Sequence, residues 1–157
     1  MRYPRGGEGE HTRDTSAHAE AILREGADIT VVTHGIMVNQ ALEAARILDA
    51  DGISAQVIKL NRLDFDDFPV TAQSVKKTGR VIVLEEVSAH GCMGHALLAC
   101  LAQSRVTPRF ARLLNLGSGV VTHGDVETLR RVRGIDAGSV VSAARLAMEG
   151  MDEKGKA

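Results

Sequence analysis

The stretch Arg80-Val81-Ile82-Val83-Leu84-Glu85-Glu86-Val87-Ser88-Ala89-His90-Gly91-Cys92-Met93-Gly94-His95-Ala96-Leu97-Leu98-Ala99-Cys100-Leu101 decides the fold. Val81 to Leu84 is apolar at every position, the pattern of a parallel strand covered by helices on both faces. Glu85 and Glu86 mark where that strand leaves the core. Gly91 and Gly94 allow a sharp turn and a close backbone approach. Ala96, Leu97, Cys100 and Leu101 then recur at helical spacing. In an open α/β sheet this strand-to-helix edge is where function collects.

Working outward, the same alternation repeats. Ile29 to Thr33 is β-branched throughout and predicts a strand. Val38, Ala41, Leu42, Ala45 and Leu48 form one helical face, closed by Asp49 to Gly52. A strand is expected over Ile53–Leu60 and an acidic loop over Asn61–Asp67. A short helix opened by Pro69 should run to about Lys77, stopped by Thr78-Gly79. On the other side, the helix from Gly94 should finish near Gln103, followed by a strand over Phe110–Leu116 and the loop Gly117-Ser118-Gly119. A short helix follows Asp125, and Asp136 caps a last one with Val140, Val141, Ala144 and Leu146 on its apolar side, ending at Gly150. Ala17 to Glu25 reads either as an Ala-rich helix or as a strand before the turn at Gly26. This order implies a mainly parallel sheet with helices on both faces.

Composition narrows the function. A chain of 157 residues suits one domain, and 3% aromatics makes its core aliphatic. A net charge of −1 supplies no field to attract nucleic acid or an acidic membrane. No apolar run is long enough to span a bilayer, and the N-terminal residues carry no signal-peptide core, so a cytoplasmic location is the default. The two cysteines, Cys92 and Cys100, lie about 12 Å apart along one helix axis, too far for a disulfide. Residues 1–16 have little to bury and are expected to be disordered. Residues 17–150 form the domain, and 151–157 form a charged tail.

Several side-chain groups invite a chemical reading. His90, Cys92 and His95 are neighbours, but a zinc site needs three or four converging ligands and no second cluster has ligand spacing. Gly91–Gly94 and Gly117–Gly119 match neither phosphate-binding fingerprint, although a weak anion site at the first remains open. Adjacent Glu85 and Glu86 point to opposite sides of a strand, so they make a poor acid–base pair. One of them is expected to cap backbone amides of the following loop. Ser88 with His90, or His34 with Asp28, lacks the strand–turn–helix elbow of a serine hydrolase. Asp64, Asp66 and Asp67 lack EF-hand spacing and read as a solvated loop.

Four pieces together resemble the C-terminal domain of the transketolase family, most of all its 1-deoxy-D-xylulose-5-phosphate synthase branch. Arg2-Tyr3-Pro4-Arg5-Gly6 is similar to the end of that family's pyrimidine-binding domain. Gly26 to Gly35 is similar to its first core strand and turn. Val83-Leu84-Glu85-Glu86 with the glycine loop is the third piece. Leu114-Asn115-Leu116-Gly117, Thr122-His123-Gly124, Leu129 and Gly134-Ile135-Asp136 form the fourth. Ser118, Val120 and Val121 depart from the pattern, where the synthase carries Pro, Asp and an aromatic residue.

The resemblance implies a three-layer α/β/α sandwich with a five-stranded, mostly parallel sheet and one antiparallel edge strand. It selects the strand reading for Ala17 to Glu25. It implies a parent transferase that uses thiamine diphosphate and Mg2+, in the synthase case for isoprenoid precursor biosynthesis. This chain lacks that family's Gly-Asp-Gly…Asn motif and the Glu that activates the cofactor, so no activity is expected of it alone. It is expected to be a fragment or a split-enzyme subunit, with the pyrimidine- and diphosphate-binding domains, or a sister subunit, as partners in a homodimer. By resemblance Arg5 contacts an anionic phosphosugar when the missing domain is present. Glu85, Glu86, His90, Gly91, Gly94 and His95 become loop or interface residues. Two alternatives remain: a partner-docking module like the C-terminal domain of 2-oxo acid dehydrogenase β subunits, and a free-standing small-anion-binding domain.

Overall fold

The computed structural model describes residues 9–63, 67–121 and 123–149. Five strands form one sheet: β1 (Glu20–Arg24), β2 (Ile29–His34), β3 (Ala55–Leu60), β4 (Arg80–Leu84) and β5 (Phe110–Leu114). Their spatial order is β1-β3-β2-β4-β5, and only the β1–β3 pair is antiparallel. The helices are α1 (Val38–Ala50), α2 (Pro69–Thr78), α3 (Met93–Gln103), α4 (Val126–Arg133) and α5 (Ala137–Glu149).

Strand alternation sorts the core into two halves, because successive side chains point to opposite faces. Val31, Val57, Ile82 and Leu84 pack with α1 and α5, whereas Val32, Leu60, Val81 and Val83 pack with Val75 of α2 and Leu97 and Leu101 of α3. The result is the α/β/α sandwich, and Ala17–Glu25 contributes the antiparallel edge strand. The α2 face also buries a polar chain. Thr30 Oγ1 lies 2.7 Å from Ser74 Oγ and 2.9 Å from Thr78 Oγ1, and Ser74 donates to Gln56 Oε1 at 2.8 Å. At the start of β4 the buried Arg80 guanidinium donates to the carbonyls of Ala147, Asp28 and Thr78, tying the last turn of α5 to the sheet.

Some expected details change. Ala96 is exposed, and α3 presents Gly94, Leu97 and Leu101 to the core. Leu146 is 55% exposed, and α5 packs through Ala137, Val140, Val141, Ala143, Ala144 and Ala147. Leu146 lies two positions beyond Ala144, on the far side of the helix. β3 starts at Ala55 and β5 stops at Leu114, both shorter than the apolar runs suggest. Within the stretch expected as a lead-in, the His11 amide donates to Asn39 Oδ1, and Thr15 is buried against Asn61. Arg5, with the rest of the Arg2–Gly6 motif, lies outside the described residues, as do Asp64, Asp66, Thr122, Gly150 and the tail.

Candidate functional site at the carboxyl edge of the sheet

β2 and β4 are neighbours, yet the chain leaves β2 toward β3 on one side and leaves β4 toward β5 on the other. This divergence is a topological switch point, the place where open α/β sheets leave a crevice outside the strand ends. Pairing of Thr33 with Leu84 brings the next residues, His34 and Glu85, side by side there.

Glu85 is 1% exposed. Its carboxylate accepts the amides of Met93 at 2.8 Å and Gly94 at 2.9 Å, and faces His34 Nε2 at 3.3 Å. The helix N-terminus needs this partner. Cys92, at the N-cap position of α3, makes no side-chain capping bond, and unpaired first-turn amides are costly when buried. Burial taken alone pushes the Glu85 carboxyl upward. The His34 hydrogen bond and the Gly94 and Met93 amides outweigh it and hold the group below the usual glutamate range. Gly94 is required by proximity, since a Cβ there would sit 2.6 Å from Leu113 Cδ2 and 3.1 Å from Glu85 Oε2.

Glu86 turns to the other side, where it accepts from Arg130 of α4 at 3.0 Å. The adjacent glutamates thus hold two different elements, α3 and α4. Gly91 has φ +86, the left-handed backbone that its turn needs. His90 and His95 are exposed. The His90 amide reaches Ser88 Oγ at 3.4 Å, and His95 Nδ1 lies 3.3 Å from Cys92 Sγ. Ala89 N–H donates to the Gly117 carbonyl and Leu116 N–H to the Val87 carbonyl, so the loop after β4 is tied to the loop after β5.

The expected capping role therefore falls to Glu85, and two of the amides that an anion at Gly91–Gly94 would use are taken by the chain's own carboxylate. His34 and Asp28 do not meet. Asp28 sits before β2, at the opposite edge, and accepts from the Ser54 amide. Sequence reasoning missed His34 as the partner of Glu85, and it missed Arg130. The available signal for His34 was that it ends its strand as Glu85 ends another. A cavity of about 640 Å3 opens at this same edge, lined by Gly9, His11, Ile36, Asn39, Gln40 and Arg130 among others. Carboxylates and guanidiniums both line it, so its charge favours no single ligand class.

The family model described as "Transketolase, C-terminal domain" matches residues 18–140. The chain belongs to the transketolase C-terminal domain family. It is 34% identical over 150 residues to the 1-deoxy-D-xylulose-5-phosphate synthase of Heliobacterium modesticaldum, covering 92% of this chain and 23% of that protein. It is 35% identical over 85 residues to a pyruvate dehydrogenase E1 component subunit beta of Staphylococcus aureus, covering 54% of this chain and 26% of that one. Among solved structures it is similar to a split-gene transketolase described as an inactive beta4 tetramer. The TM-score is 0.69 at 29% identity, covering 88% of this chain and 44% of that one. The domain thus spans about a quarter of the length of the synthases it matches. Among the described residues no group of three or more His, Cys, Asp or Glu side chains converges to hold a metal. Glu85 is committed to α3 and His34, so it does not fit as a ligand of Mg2+. Among the described residues, too, no helix is long and apolar enough to cross a membrane.

Proposed function

We propose that this chain is the C-terminal domain, or a split subunit, of a thiamine-diphosphate- and Mg2+-dependent transketolase-type enzyme of the 1-deoxy-D-xylulose-5-phosphate synthase kind. Its work is to pack against the pyrimidine- and diphosphate-binding domains, of the same enzyme or of a sister subunit, to extend a homodimer interface, and to shape the substrate entrance. The observation that carries this reading is the match over residues 18–140, joined to a sheet edge where both buried carboxylates among the described residues, Glu85 and Glu20, are spent on architecture. In that assembly Glu85 and Gly94 hold the start of α3, Glu86 holds α4, and Gly91, His90 and His95 form the loop presented to the partner. Arg5 is assigned to an anionic phosphosugar, because a guanidinium fork matches a phosphate.

The test is reconstitution. Mixed with a subunit carrying the pyrimidine- and diphosphate-binding domains, the chain should co-purify and restore carboligation of pyruvate with a sugar phosphate. Alone with cofactor and Mg2+ it should show none, and turnover by the pure chain would overturn the proposal. The similarity to a dehydrogenase β subunit favours a second reading, docking of an acyl-carrier partner. Capture of a lipoyl-bearing protein without any sugar-phosphate activity would select it.

A further inference from the structure

The chain ahead of β1 is folded against the domain in a way that the proposed function does not use. Residues 9–19 run along the carboxyl edge of the sheet, from the first turn of α1 to the end of β3, and are held at two points. At the near point the His11 amide donates to Asn39 Oδ1 at 3.0 Å. Gly9 fits so closely there, with φ +78, that a Cβ on it would run into the Asn39 amide group. At the far point Asn61, the residue after β3, gathers the chain. Its side-chain amide donates to the Thr15 carbonyl at 2.8 Å and to the His18 carbonyl at 2.9 Å, and its backbone amide donates to the Ala19 carbonyl at 2.9 Å. Lys59 Nζ reaches Thr15 Oγ1 at 3.4 Å.

We propose that residues 9–19 are a releasable strap: docked, they wall one side of the switch-point cavity, and released, they open that side while the sheet stays folded. Gly9, Glu10 and His11 line this cavity of about 640 Å3 together with Ile36, Gln40 and Arg130. Undocking at Asn39 therefore removes part of its wall.

Two observations make the strap separable from the core. The first is what holds it. Among residues 9–19 Thr15 alone is buried, so the attachment is a set of hydrogen bonds with no apolar anchor. A segment that buries so little apolar surface opens at a fraction of the global unfolding free energy. The boundary is sharp, because β1 follows directly, pairs with β3 along its length and is fixed to α2 by Glu20. The second is a cost of docking. His11 Nε2 is buried with no hydrogen-bond partner among the described residues, and an unsatisfied buried nitrogen opposes the state that buries it. Release returns that nitrogen to water. What the release serves rests on the proposed function: a partner domain meeting this edge would find the cavity widened on the strap side.

Amide hydrogen exchange of the full chain, read by NMR across low urea concentrations, tests the strap. The His11 and His18 amides should exchange through an opening roughly tenfold or more as frequent as the one that exposes Val32 of β2. Their rates should be nearly independent of urea, whereas Val32 should speed up as urea rises. Asn61→Ala should speed both strap amides about tenfold, including His11 at the other point of attachment. Val83→Ala, in the core, should speed Val32 and leave the two strap amides unchanged. Strap amides exchanging at the rate of an unstructured peptide would overturn the proposal, since no docked state would exist. So would strap amides that follow Val32 in urea and in Val83→Ala, which would make residues 9–19 a fixed part of the core, or an Asn61→Ala effect confined to His18. No partner subunit enters this experiment, so the strap can fail while the family reading stands, and reconstitution can fail while the strap stands.

Discussion

The N-termini of α2 and α3 solve one problem in the same way, at two places with different duties. Neither Phe68 nor Cys92, the residues at their N-cap positions, makes a side-chain capping bond. Each helix is capped from a strand instead. Glu20, the first residue of edge strand β1, accepts the amides of Val70 and Thr71 and the Thr71 hydroxyl, 51 positions downstream in the last two cases. Glu85, just past central strand β4, accepts the amides of Met93 and Gly94. Both carboxylates profit from the positive end of a helix dipole and satisfy amides that would otherwise be buried unpaired. The difference is the third partner. The Glu20 carboxylate accepts its bonds from α2, whereas Glu85 also faces His34 at the switch point. One glutamate rivets an edge strand to a helix. The other uses the same chemistry to fix a loop at the switch point.

Removing each rivet should have the largest effect. Glu20→Ala and Glu85→Ala each strand two helix amides and should each cost about 3 kcal/mol in urea unfolding followed by circular dichroism. If Glu20→Ala proves nearly silent while Glu85→Ala does not, the two caps are not equivalent and the comparison fails.

A second measurement separates them by pH. The folded-state pKa of Glu85 is depressed, so its contribution is complete above the unfolded glutamate value, about 4.3, and is lost as pH falls through the lower folded value. Wild-type stability should therefore fall on acidification below about pH 4.5, and Glu85→Gln should fall less steeply over that window. Identical slopes for the two proteins would show that the carboxylate is not the linked group.

The smallest effect tests capping by a local residue. Asp125 caps α4 by accepting the Thr128 amide at 3.0 Å, on a helix with no buried residue. Asp125→Ala should cost about 1 kcal/mol or less, read by the same unfolding. A loss as large as that for Glu85→Ala would mean that α4 is coupled to the core more tightly than its exposure implies.

Much of this architecture was legible before any coordinates. The apolar run Val81–Leu84, the β-branched Ile29–Thr33, Pro69 at the start of α2 and Gly79 at its end are local signals, and they mark their elements within a few residues. The capping role of a glutamate in the Glu85–Glu86 pair was also readable, because the helix it serves begins only eight residues later. Glu20 was not readable. In sequence it is one charged residue in an Ala-rich stretch, and its helix lies about fifty positions away. Arg130 was missed for the same reason, being 44 positions from Glu86. The two misplaced apolar residues, Ala96 and Leu146, arose because a loose helical spacing admits more than one face.

By itself the amino-acid order determined the succession of strands and helices, the α/β class and the family, since periodicity, caps and glycines act within a few residues. Only the tertiary structure decided that β2 lies beside β4, that His34 meets Glu85, and that Arg80 reaches the end of α5. The physical reason is reach. A hydrogen bond or an ion pair depends on separations of a few ångströms, and the hydrophobic pattern of a strand reads the same whichever neighbour it takes.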